Sequence, residues 1–111
     1  MPDVRADRRV APRYSLIVVA EVSELSTGAC VSARTSDVSV SGCYVDTLNP
    51  MKAGTKVRLV LTHSGESLEV FARVVYVSPG LGMGMCFDDP VRPEQLATLQ
   101  GWLKSSTVLS L

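Results

Sequence analysis

From Lys56 to Thr62 the chain alternates apolar and polar positions: Val57, Leu59 and Leu61 fall on one face, Lys56, Arg58 and Thr62 on the other. A period of two is the mark of a strand with one buried face. Carried along the chain, the same reading predicts six strands. Tyr14–Glu24 is β-rich, with Ile17, Val18, Val19 and Val22. Cys30–Thr35 and Ser41–Thr47 are short strands, with Asp37–Gly42 as the corner between them. Leu68–Val77 is a long strand and Met83–Phe87 a last short one. Turn signals separate these segments at Ser26-Thr27-Gly28, Asn49-Pro50, Lys52-Ala53-Gly54, Ser64-Gly65 and Pro79-Gly80. After Pro90 the period changes. Pro93 suits the first turn of a helix and Glu94 sits near its positive dipole end. Leu96, Leu99 and Leu103 recur at i, i+3 and i+7 as one apolar stripe, with Trp102 beside it. Thr107–Leu111 is apolar without a readable period and can pack on the domain or on a partner. Closely spaced strands and one helix predict an all-β dominated fold, a six-stranded antiparallel β-barrel with a C-terminal α-helix.

A chain of 111 residues, 46% of them apolar, is one globular domain rather than a disordered segment. Residues 1–13 are polar and hold Pro2 and Pro12, so they read as a flexible arginine-rich N-terminal arm, with residues 14–111 forming the barrel and helix. The net charge is zero, and aromatic residues are 5% of the chain. That argues against a nucleic-acid binder, which needs a broad basic surface or several stacking platforms. Cys30, Cys43 and Cys86 are odd in number and widely spaced, and His63 is the single histidine. Disulfide and metal-site readings both fail on that spacing, so reduced cysteines in a cytoplasmic protein are expected. No apolar run approaches the ~20 residues of a membrane helix, so no membrane insertion is expected.

Two runs carry candidate chemistry. Arg8 and Arg9 stand four to five residues before Arg13, and Pro12 keeps the segment out of helix. Guanidinium groups pair bidentately with phosphate and with the O6/N7 edge of guanine; a solvated basic tail has the same composition. The second run is Asp37-Val38-Ser39-Val40-Ser41-Gly42. If extended, it points Asp37, Ser39 and Ser41 to one face, with Val38 and Val40 anchored in the core. Asp37 can accept from the N1–H and N2–H₂ donors of guanine, and Gly42 permits close approach of a ligand. An ordinary capped turn uses the same residue types. No catalytic constellation is visible. His63 has no nucleophile partner, Asp88 and Asp89 are adjacent and so face opposite ways on a strand, and Gly80–Gly84 lacks a phosphate-loop lysine.

Taken in order, Arg9-Val10-Ala11-Pro12-Arg13 and Asp37-Val38-Ser39-Val40-Ser41-Gly42 resemble the Arg-x-x-x-Arg and Asp/Asn-x-Ser-x-x-Gly motifs of the PilZ domain family, bacterial receptors for cyclic di-GMP. Gly82-Met83-Gly84-Met85-Cys86-Phe87 and the leucine-bearing helix look like the end of such a domain, and the resemblance runs from about Arg8 to about Lys104. It implies a non-enzymatic receptor with no cofactor and no metal. Arg9 and Arg13 would grip phosphates and guanine edges, Asp37 would receive a guanine, Ser39 would contact phosphate or the arm, and Gly42 would allow close approach. Arg8, directly before the motif, implies a stacked pair of ligands per protomer. One departure stands out: near the penultimate strand, where some relatives place a stacking tryptophan, this chain offers only Tyr76, which equally fits a core or barrel-rim residue. The signal would pass to an unidentified downstream protein, with the helix and tail also able to build a homodimer. The competing reading is a PilZ-fold adaptor that works by protein contact without nucleotide control.

Overall fold

The computed structural model describes residues 12–88 and 91–110. Its strands are β1 (Arg13–Ser15), β2 (Val19–Glu24), β3 (Cys30–Val38), β4 (Gly42–Asp46), β5 (Lys56–His63), β6 (Glu66–Ser78) and β7 (Gly82–Phe87). Helix α1 (Pro93–Lys104) and a last strand, β8 (Thr107–Ser110), complete the chain. The ladder runs β2-β5-β6-β7-β4-β3, all antiparallel, and β3 returns to β2. This is the closed six-stranded barrel expected, with β1 and β8 added outside the closure. Closure removes the exposed edges of an open sheet.

The alternation read at Lys56–Thr62 is what fills the lumen. Val57, Leu59 and Leu61 are fully buried, and so are Ala20 and Val22 of β2 and Ala72 and Val74 of β6. Met83, Met85 and Phe87 of β7 and Cys43 and Val45 of β4 complete the interior. The expected stripe on α1 is shifted slightly: Leu99, Trp102 and Leu103 are buried, while Leu96 is half-buried. Trp102 faces the β5–β6 hairpin, where its Nε1–H donates to Glu66 at 3.0 Å and its ring meets the edge of His63. Gln95 accepts from the backbone N–H of Glu69 at 2.9 Å, a second polar tie between helix and sheet.

Tyr14–Glu24, expected as one strand, is broken. β1 pairs with Asp37 and Val38 at the end of β3, and β2 pairs with Cys30–Arg34 at its start. Between them the buried Thr35 hydroxyl donates to the Leu16 carbonyl at 2.7 Å and accepts from the Val18 N–H at 3.0 Å. The alternation continues through the break, with Leu16 and Val18 buried and Ile17 exposed, so the pattern alone does not reveal it. Thr107–Ser110, which has no readable period, pairs with β1 along its free side.

Candidate functional site

Antiparallel register fixes which side chains share the barrel's outer wall. β4 directs Cys43 and Val45 inward, leaving Gly42, Tyr44 and Asp46 outside. β7 directs Met83, Met85 and Phe87 inward, leaving Gly82, Gly84 and Cys86 outside. Gly84 pairs with Tyr44 on one side and Tyr76 on the other. A Cβ at Gly84 would overlap the Tyr76 ring, and one at Gly82 would overlap the Tyr44 ring. The two tyrosines therefore lean over a glycine strip, their ring centroids 6.0 Å apart and their planes 30° apart. Cross-strand aromatics covering glycines are a known device for stabilising such positions. A register shift between Val74 and Tyr76 inserts an extra residue, so Val75 and Tyr76 are both exposed.

Beside this aromatic shelf stands Asp37, the penultimate residue of β3. The Arg13 guanidinium, 24 residues away in sequence, donates to its carboxylate at 2.6 Å. Register explains the meeting: Ser15 of β1 lies opposite Asp37. The hydrogen bond and the charge of Asp37 raise the Arg13 pKa further above its ordinary value, so the guanidinium stays cationic at every working pH. Tyr76 has its phenol pKa raised, first by partial burial, with Arg13 opposing and Asp37 and Tyr44 assisting. The phenol remains a neutral donor at neutral pH. Cys43, beneath the shelf, is pushed up to about 12 by burial and by the charge of Asp37. It is a protonated core thiol and no nucleophile. Arg13, Asp37, Ser39, Ser41, Gly42, Tyr44, Val75, Tyr76, Gly84 and Cys86 line an open depression of about 310 Å³.

The structure brings together Arg13, Asp37, Ser39 and Gly42 around the depression. Ser39 does not point outward. It is buried, and its Oγ accepts from the backbone N–H groups of Ser41 and Gly42 at 3.1 and 3.2 Å, closing the β3–β4 turn. Val40 does not anchor the corner; it is at the surface, while Val38 alone is fully buried. The chain turns over Ser39–Ser41 instead of staying extended, and that inverts the facing beyond Val38. Gly42 has a structural reason of its own, because a Cβ there would overlap the Met85 carbonyl across the ladder. Arg13, expected on the arm, is the first residue of β1. Arg8 and Arg9 lie outside the described residues. Tyr44 was not singled out by motif reading, although the alternation Gly42, Tyr44, Asp46 against Cys43, Val45 carries the signal. Larger hollows lie elsewhere. One, of about 570 Å³, is lined by Lys56, Glu69, Phe71, Asp88, Val91 and Arg92 among others, and no two of its charged residues form an ion pair among the described residues.

A closed barrel that fills its lumen with side chains and carries its polar residues on the outer wall is a distinct class of small β-domain. The PilZ domain family model matches residues 3–105, and the chain belongs to that family. Solved structures agree on the fold. The PilZ domain of CeSA from a cellulose-synthesizing bacterium aligns with a TM-score of 0.65 and 23% identity, covering 83% of this chain and 94% of that one. The PilZ domain of YcgR from Escherichia coli, solved with c-di-GMP, gives 0.72 and 18%, covering 88% and 90%. The Bacillus subtilis inhibitor of motility MotI/DgrA gives 0.71 and 15%, covering 87% of this chain but 49% of that one. No curated protein sequence matches the chain. Among the described residues, no helix is long and apolar enough to cross a membrane.

Proposed function

We propose that this domain is a receptor for cyclic di-GMP and transmits its occupancy to a protein partner. The observation that carries the reading is the Arg13–Asp37 pair at 2.6 Å beside the Tyr44–Tyr76 shelf. A guanidinium, a carboxylate and two aromatic faces offer the complements of a guanine nucleotide: phosphate and O6/N7 for Arg13, ring donors for Asp37, and a stacking surface for the base. Ser39 and Gly42 contribute by holding the turn and the close β4–β7 approach on which Asp37 depends. Arg8 and Arg9, which complete the motif in sequence, supply further cations. The YcgR domain was solved with c-di-GMP, which supports the choice of ligand. Arg13 is also the root of transmission. Its strand pairs with β8, and Tyr14 lines a groove of about 550 Å³ shared with Ala97, Leu103 and Lys104 of α1. A ligand that repositions Arg13 therefore acts on both C-terminal elements.

Calorimetric titration of cyclic di-GMP into the wild type, Arg13→Ala and Asp37→Asn tests the reading, with GTP as control. Binding by the wild type that weakens at least about fivefold in Arg13→Ala is expected, since a good bidentate contact to guanine is worth about 1–3 kcal/mol. A stoichiometry near two would support the stacked pair implied by Arg8. No heat with folded wild-type protein would exclude the receptor reading and leave a PilZ-fold adaptor acting by protein contact alone.

A further inference from the structure

The outer wall holds a row of register partners that crosses four strands: Lys56 on β5, Arg73 on β6, Cys86 on β7 and Gly42 on β4. Adjacent strands lie about 4.8 Å apart, and Cys86 and Gly42 already line the Arg13–Asp37 depression. Arg73 is thus one strand from Cys86 and two residues along β6 from Val75, both of which line the depression. A guanidinium on a long side chain spans that separation.

Arg73 is also placed at a cost. Its direct cross-strand partner is Lys56, and like charges opposite one another destabilise a sheet. Neither cation belongs to an ion pair among the described residues. Arg58, next along the same face, is paired with Glu69, so compensation does occur on this wall and stops short of Arg73. Asp88, one residue past β7, and Glu69 line a hollow with Lys56, yet neither forms an ion pair with Lys56 or Arg73. Two adjacent cations with no ion-pair partner among the described residues, one of them bordering a site that offers guanine complementarity, are the electrostatic counterpart of an anion.

We propose that Arg73 is a further ligand-binding residue that receives a phosphodiester group of a cyclic dinucleotide lying across β6, β7 and β4. The inference rests on the receptor reading and extends its footprint beyond both sequence motifs. Lys56 reinforces the local positive potential without reaching the depression.

The test is titration of the full chain with cyclic di-GMP, using wild type, Arg13→Ala, Arg73→Gln, Arg73→Lys and Arg73→Glu, at low salt and at 1 M salt. Arg73→Gln is expected to weaken binding about fivefold and Arg73→Glu by more than tenfold, while Arg73→Lys stays near wild type. These differences should shrink at 1 M salt, where the screening length falls to about 3 Å. Melting temperatures should move the other way, with Arg73→Glu above wild type because it converts a repulsive cross-strand pair into an attractive one. Wild-type binding that is lost in Arg13→Ala but unchanged within twofold in Arg73→Gln and Arg73→Glu would overturn the role of Arg73 and leave the receptor reading standing. A weakened Arg73→Gln with a lowered melting temperature and no salt dependence would assign Arg73 a structural role and also overturn it. No binding by the wild type would remove the receptor reading itself.

Discussion

Arg13 keeps about half of its side chain exposed while Asp37 keeps 14% of its own. An ion pair of that exposure contributes roughly 0–1 kcal/mol to folding, so Asp37→Asn should fold normally and report on ligand affinity alone. The glycines divide more sharply. At Gly42 a Cβ meets the backbone carbonyl of Met85, which cannot move without breaking the β4–β7 ladder. At Gly84 it meets the ring of Tyr76, the mobile end of an exposed side chain. Gly42→Ala is therefore expected to cost about 3 kcal/mol or more, and Gly84→Ala about 1 kcal/mol or less. Chemical denaturation would measure both. Gly84→Ala should still alter the near-ultraviolet circular dichroism, because the Tyr44–Tyr76 shelf must rearrange.

The break between β1 and β2 depends on one hydroxyl. Thr35 serves the Leu16 carbonyl and the Val18 N–H from inside the barrel. Thr35→Val keeps the volume and removes both partners, leaving buried polar groups unsatisfied at about 1–3 kcal/mol. Amide exchange should rise first at Val18, whose N–H is the donor that loses its acceptor. Conversely, unchanged protection there would show that the break is held by the flanking ladders alone. This element also decides where Arg13 stands. β1 is three residues long and is held between β3 and β8. Its position opposite Asp37 is a property of the ladder, which neither arginine motif nor corner motif contains.

Cys43 contributes to the alkaline response of the whole fold, in the same direction as Tyr76. Its native pKa, raised from 9.0 to about 12 by burial, means that the unfolded chain releases the thiol proton first as pH rises. The native state then holds more protons than the unfolded state, so stability is fully present below about pH 9 and declines from there to about pH 12. Cys43→Ala should be less stable at neutral pH through lost packing, with a shallower alkaline decline in urea midpoints. An equal slope in the variant would place the alkaline sensitivity on other groups. Thiol labelling gives an independent view of the same geometry. Cys30 is exposed, Cys86 half-buried and Cys43 buried, so Cys43 should label only with unfolding.

Period-two alternation and turn residues determined the strands, the helix and the identity of the lumen-facing side chains, because burial of one face is a local, repeating constraint. Spacing also marked Arg13 and Asp37 as chemically apt before either had a position. The sequence did not reveal that Tyr14–Glu24 breaks at Leu16–Val18 against Thr35, that Thr107–Ser110 is a strand, or that Ser39 turns inward. Each of these depends on a hydrogen-bond partner 17 or more residues away or on a turn only three residues long. The aromatic shelf and the Lys56–Arg73 row were likewise decided by tertiary structure alone. Alternation assigns a residue to a face, but only the register of non-neighbouring strands decides which residues on that face touch.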